Sequence, residues 1–159
     1  MLIFNRSGLL IPDNKIVSNI EELKLEFVDK IPTNERKYIF EKLIIYNENL
    51  KNKCSNELIC QWIDGSFVTK KPNPRDIDLV TFISHDTIKE IGDSIHNFKY
   101  PNSEIIYGVD AYIIEVFPDN HKENFKTILD KAYWMDKFTK TRRNKAGNKL
   151  SKGFLEIYY

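Results

Sequence analysis

Cysteine is scarce in this chain: Cys54 and Cys60 are the only two among 159 residues. Two are too few for a disulfide framework, and too few to build a zinc site on their own. They point to reduced thiols in a cytoplasmic protein. Long apolar runs are missing too. None approaches the roughly 20 residues that a membrane helix needs, so no membrane contact is expected. The opening Met1-Leu2-Ile3-Phe4-Asn5-Arg6 lacks the extended apolar stretch of a secretory signal. Neither sign of charge dominates: 24 Lys and Arg stand against 23 Asp and Glu, so the net +1 favours no class of partner. The three histidines, His85, His96 and His121, have no metal-ligand spacing and read as surface residues. No internal repeat or low-complexity segment is present.

What remains is a chain with 42% hydrophobic and 30% charged residues, the balance of one soluble domain with a proper core. The segment through Pro12 reads as irregular. Ser18-Asn19-Ile20-Glu21 reads as a capping box in which Glu21 reaches back to the Ser18 backbone. Ile20, Leu23, Phe27 and Ile31 then keep helical spacing until Pro32. A second helix is predicted over about 34–52, with Ile39, Leu43, Tyr46 and Leu50 on one stripe. These two N-terminal helices would brace one side of a sheet. Strands are predicted at 58–63, 76–83, 104–117 (broken near Gly108 if two) and 153–159. Ser84 or Asp86 would cap a helix carrying Ile88, Ile91 and Ile95. Residues 121–138 read as an amphipathic helix with Phe125, Leu129 and Ala132 inward. Strands alternating with helices favour an α+β fold, a small mixed β-sheet with helices packed against it.

The stretch richest in chemistry runs from Gln61-Trp62-Ile63-Asp64-Gly65-Ser66 through a nine-residue spacer to Asp76-Ile77-Asp78. Pro72 and Pro74 keep the spacer out of a regular helix. Strand side chains alternate faces, so Asp76 and Asp78 point the same way, roughly 6–7 Å apart. Two carboxylates on one face can hold a divalent cation beside a phosphate chain. Gly65 lets backbone N–H groups approach phosphate oxygens, and Ser66 adds a hydroxyl. An ordinary strand-to-loop turn accounts for Gly65-Ser66 equally well when those residues are taken alone. Asp64 reads as a turn-capping residue. Asp76 can instead cap a loop beside Arg75, whereas Asp78 sits in an apolar strand and needs a partner if buried.

Gly-Ser, spacer and Asp-x-Asp together resemble the signature of the nucleotidyltransferase superfamily that includes DNA polymerase beta. The nearest likeness is to small bacterial members with a Trp-Ile-Asp-Gly-Ser-Phe-Val turn, and it covers residues 58–116. The resemblance implies a small α/β core that transfers a nucleoside monophosphate from a triphosphate. It implies a third acid on a later strand, a place that Asp110 fills in Tyr107-Gly108-Val109-Asp110-Ala111. Asp76, Asp78 and Asp110 would then be both catalytic and metal-binding, with two Mg2+ ions expected and Mn2+ as a substitute. Gly65, Ser66 and Lys71 would contact the nucleotide, ATP being the first choice of NTP. A role in toxin–antitoxin pairs or phage defence, with a protein or tRNA acceptor, is also implied.

By this reading the chain is one domain: a helical flank at 1–54, a catalytic core at 57–117, and a C-terminal helix, basic loop and strand at 118–159. Lys70, Lys71 and Arg75 fill the spacer, where lysines are commonly just solvated. Residues 137–152 carry seven basic side chains and no acid: Lys137, Lys140, Arg142, Arg143, Lys145, Lys149 and Lys152. Such a run suits RNA, an acidic protein partner, or solvent alone. Trp62 and Trp134 read as core residues. A homodimer suits the exposed helices. Two other functions stay open beside the enzyme: a non-catalytic module of this fold that regulates a protein partner, and an RNA-binding protein.

Overall fold

A computed structural model describes residues 1–55 and 57–159. The fold is a mixed α+β arrangement around a five-stranded sheet. Its strands are β3 (Lys15–Val17), β4 (Cys60–Asp64), β5 (Asp78–Ser84), β6 (Asp110–Val116) and β7 (Phe154–Tyr158). Their order across the sheet is β3-β7-β4-β5-β6. β4 is antiparallel to both β5 and β7, while β5 and β6 are parallel, as are β3 and β7. A separate two-stranded ribbon pairs β1 (Ile3–Phe4) with β2 (Leu10–Ile11), so the first twelve residues are more regular than their sequence suggests.

The alternation of strand side chains sorts the core onto two faces. Ile63, Leu79, Ala111, Leu155 and Ile157 point to one face, beneath α2 (Asn34–Lys53) and the shorter α1 (Ile20–Lys24). Of the predicted α2 stripe, Ile39, Leu43, Tyr46 and Leu50 are all buried. Trp62, Val80, Ile114 and Phe154 point to the other face, where Trp134 and Phe138 of α5 (Asn124–Phe138) cover them. Both tryptophans are thus core residues, as predicted. Among the described residues no helix is long and apolar enough to cross a membrane.

Several expectations need correction. The N-terminal flank is not a pair of helices. Three short strands lead it, and α1 lasts five residues before opening into a π-helical turn, Leu25–Asp29. The spacing of Leu23, Phe27 and Ile31 is four residues each time, wider than the 3.6 of an α-helix, which suits that wider coil. The α1 cap is Asn19, whose side chain accepts from the Glu22 N–H, and Glu22 rather than Glu21 meets Ser18. Residues 104–117 are not strand throughout: α4 (Asn102–Tyr107) ends at Gly108, in the left-handed conformation that glycine tolerates, before β6 begins. Ser84 caps α3 (His85–Ile91), accepting from the Thr87 N–H. In α5, Phe125, Leu129 and Ala132 face outward, and Thr127, Trp134 and Phe138 face the sheet. Trp134 packs there on Tyr112, and Phe138 on Phe154. His85 is not a free surface residue, because it bonds Glu115 and packs against Phe117 and His121.

Candidate active site

Sheet register builds the site. Asp64 ends β4, Asp78 opens β5 and Asp110 opens β6. Asp64 is the direct partner of Asp78, and Asp78 of Asp110. Three carboxylates therefore stand in one row across three adjacent strands, on the face shared with Trp62, Val80 and Tyr112, at spacings of roughly 5 Å. Asp76 lies two residues ahead of Asp78, half-buried, just before the strand.

The row is electrostatically strained. Burial, then the charges of Asp64, Asp76 and Asp110, push the Asp78 carboxyl up to about 7, with Arg142 pulling the other way. Burial pushes Asp64 up to about 6, and the Lys152 ammonium, bonded to it, limits the rise. One oxygen of Asp110, Oδ1, is buried with no hydrogen-bond partner among the described residues. Beside it, burial and the Asp110 charge push the Tyr112 phenol up to about 12. Tyr112 in turn stacks with Tyr100 and packs on Trp134, and Lys137 lies 4.4 Å above the Trp134 ring. Among the described residues, no three His, Cys, Asp or Glu side chains converge as a ready-made metal cage.

Gly65 sits where nothing larger fits. Its φ of 87° belongs to the left-handed region, and a Cβ there would overlap Asp78 Oδ2. Ser66 opens a single 3-10 turn, Ser66–Val68, beside the row. The rest of the spacer is fixed by a residue that sequence reading missed. Arg36 of α2 is fully buried. Its Nη1 donates to the carbonyls of Phe27 at 2.9 Å and Phe67 at 2.7 Å. Its Nη2 donates to Thr69 at 2.7 Å and to Lys71, and its Nε to Pro72 at 3.3 Å. All five N–H donors of the guanidinium are used. Burial lowers its pKa to about 10, so it stays charged at neutral pH.

Of the residues singled out in the sequence, the fold brings together Gly65, Ser66, Asp76, Asp78 and Asp110. It leaves the Lys71 side chain exposed, and the Lys71 carbonyl serves Arg36. Lys70 packs on the Phe4 ring and pairs with Glu26. Asp64 does more than cap the turn at the Gly65 backbone: it is buried, in the row, and paired with Lys152. Its place beside Gly65 was a signal. Lys152 gave none beyond its membership of the basic run, since its partner lies 88 residues away.

That basic run is a hairpin. The Thr141 N–H donates to the Leu150 carbonyl at 2.8 Å, and the Asn144 N–H to Asn148 at 2.9 Å. Lys140 and Ser151 bridge antiparallel. At its base Lys152 also donates to the Phe138 carbonyl at 3.0 Å. The hairpin thus leaves the acid row with Arg142, Arg143, Lys145 and Lys149 exposed along it.

No curated protein and no solved structure matches the chain. Residues 2–158 match a family of unknown function, DUF6932, and with nearly the whole sequence covered the chain belongs to that family.

Proposed function

We propose that the chain is a metal-dependent nucleotidyltransferase, moving an NMP from an NTP, ATP first, to a protein or RNA acceptor. One observation carries the reading: Asp64, Asp78 and Asp110 are register partners on one sheet face, next to a glycine turn that closes on Asp78. The donor set suits a hard divalent cation. It offers carboxylate oxygens that repel one another, and among the described residues it has a buried Asp110 oxygen without a partner. Bound Mg2+ or Mn2+ would supply charge neutralisation of the triphosphate and activation of the acceptor hydroxyl.

The chain's own residues have separable tasks in this account. Asp76, Asp78 and Asp110 hold the cations. Gly65 and Ser66 offer the phosphates a close backbone approach and a hydroxyl. Lys152 occupies Asp64, which leaves Asp78 and Asp110 as the freer carboxylates of the row. The exposed bases of the hairpin lie on the acceptor side, where a phosphate backbone would meet them. The toxin–antitoxin or defence setting belongs to this proposal.

A second reading has its own observation. Because no ready-made cage of three ligands stands among the described residues, a non-catalytic module that regulates a protein partner or binds RNA is the alternative. The test uses NTPs labelled at the α-phosphate, Mg2+ or Mn2+, and cell lysate as a source of acceptors. Transfer of label by the wild-type chain, lost in Asp78→Asn and Asp110→Asn, supports the enzyme. No transfer from any NTP, together with cellular activity that survives both substitutions, supports the module.

A further inference from the structure

Aromatic rings stand next to the acid row. Tyr112 follows Asp110 by two residues on β6, so it shares that sheet face, roughly 6–7 Å further along the strand. Tyr100 is fixed at the outer edge of β6, where its N–H donates to the Ala111 carbonyl at 2.8 Å. Its ring stacks on that of Tyr112, with centroids 6.0 Å apart and planes 24° from parallel. Trp134 packs on Tyr112 as well, but it is buried and belongs to the core. Tyr100 is 49% exposed, and among the described residues no second ring packs on it. Its ring is therefore open to a further stacking partner beside Asp110.

Cations continue from these rings. The Lys137 ammonium lies 4.4 Å from the Trp134 ring centre and 5.6 Å from that of Tyr112. Among the described residues it pairs with no carboxylate, and neither do Arg142, Arg143, Lys145 and Lys149 along the hairpin. Lys140 and Lys152 are engaged by Asp136 and Asp64, so they leave no free charge. Arg142 pulls on the Asp78 carboxyl, which sets the start of the track near the row.

We propose that Tyr100 and Lys137, around Tyr112, form a stacking subsite for one nucleobase of an unpaired nucleic-acid strand whose phosphates follow the hairpin. Ring and cations together favour this occupant. An acidic protein segment would use the cations and leave the open ring without a role, and a duplex hides the faces of its bases. A single strand brings a planar base and a phosphate at every nucleotide. Calling this strand the acceptor rests on the reading of the acid row as the place of transfer. The subsite itself does not, and it holds if the row proves inert.

The test is fluorescence anisotropy of the full chain, with Mg2+, over a series of salt concentrations. The probes are a labelled RNA of about 12 nucleotides, the DNA strand of the same sequence, and the RNA duplex. The single strand should bind, weaken as salt rises, and hold at least about tenfold more tightly than the duplex. Tyr100→Leu should weaken strand binding about tenfold and leave its salt dependence unchanged. Tyr100→Phe should bind as the wild-type chain does, because stacking needs the ring and not the hydroxyl. Lys137→Ala should weaken binding and lower the salt dependence by about one phosphate contact. Tyr100 is half exposed and its backbone bond to Ala111 survives each substitution, so the fold should persist. A preference between RNA and DNA names the sugar and equal binding admits both; either result supports the subsite. No strand binding, a duplex bound as tightly, or a Tyr100→Leu variant that binds like the wild-type chain overturns it. Loss of ATP binding instead of strand binding in Tyr100→Leu gives the ring to the NTP and also overturns it. Label transfer to protein without strand binding overturns this proposal and keeps the transferase, and strand binding without any transfer does the reverse.

Discussion

Two loops border the acid row, and each hangs on one buried cation, yet the two are held in opposite ways. The 65–77 loop is bound by Arg36 through carbonyl groups alone, with every guanidinium N–H used. The 139–152 hairpin is bound by Lys152 through one carboxylate, Asp64, and one carbonyl. Carbonyl dipoles do not titrate, so the first loop keeps its shape across the working pH range. A carboxylate raised to about 6 does titrate, so below that pH the ion pair with Lys152 gives way to a neutral carboxyl whose burial costs less, and the hairpin is tied differently in acid and in base. In the proposed enzyme the rigid loop would carry the phosphate turn, and the adjustable hairpin would meet an acceptor whose shape varies.

The largest effect should come from Arg36→Met. It leaves five carbonyls without their donor and should cost about 3–5 kcal/mol in chemical denaturation. That loss should be the same at pH 5.5 and pH 8, because nothing at the site can take a proton in compensation. Lys152→Met comes next, at about 2–4 kcal/mol near pH 8, since it strands a buried carboxylate. Here the loss should shrink at pH 5.5, where Asp64 takes a proton instead. Equal pH behaviour of the two variants would erase the distinction between the loops.

Asp78→Asn works in the other direction. Folding raises this carboxyl from 3.8 to about 7, so the folded chain binds the proton more tightly than the unfolded one. The stabilisation is fully present below about pH 4 and is lost as the pH rises through about 7. Asp64 adds a contribution of the same sign that fades through about 6. The groups around Asp78 are Asp64, Asp76, Asp110 and Arg142. Without added cation, the asparagine variant should be more stable than the native chain by about 1–3 kcal/mol at pH 8 and no more stable at pH 4. Melting curves at the two pH values check this. The smallest effect is expected at the tip: replacing both Arg142 and Arg143 by Ala should change stability by no more than about 0.5 kcal/mol. The same pair should weaken binding to single-stranded RNA and flatten its salt dependence.

How much of this was legible beforehand differs between residues. The α2 stripe, Asp78 and the final strand were readable because periodicity and apolar runs report local burial. The row itself was half legible. Asp76 and Asp78 stood out by type and spacing, and Asp110 only through the family resemblance, but sequence cannot give strand register, and register is what brings Asp64 into line. Arg36 was hidden for a similar reason: its partners are carbonyls, which every residue carries. The inverted α5 shows a different limit. Phe125, Leu129 and Ala132 are as periodic as Trp134 and Phe138, and periodicity cannot tell which of two apolar faces meets the domain's own sheet. Residues 104–107 misled because Ile105 and Ile106 look strand-like, whereas Gly108 ends a helix there.

The most direct measurement of the central claim is a calorimetric titration of ATP with Mg2+ into the wild-type chain and into Asp110→Asn at pH 8, repeated with a chelator. If the row of carboxylates holds cation and triphosphate together, the wild-type chain binds, the variant binds at least about tenfold more weakly, and the chelator abolishes the heat. Equal binding by the two proteins, or binding indifferent to the chelator, would contradict a cation held between Asp78 and Asp110.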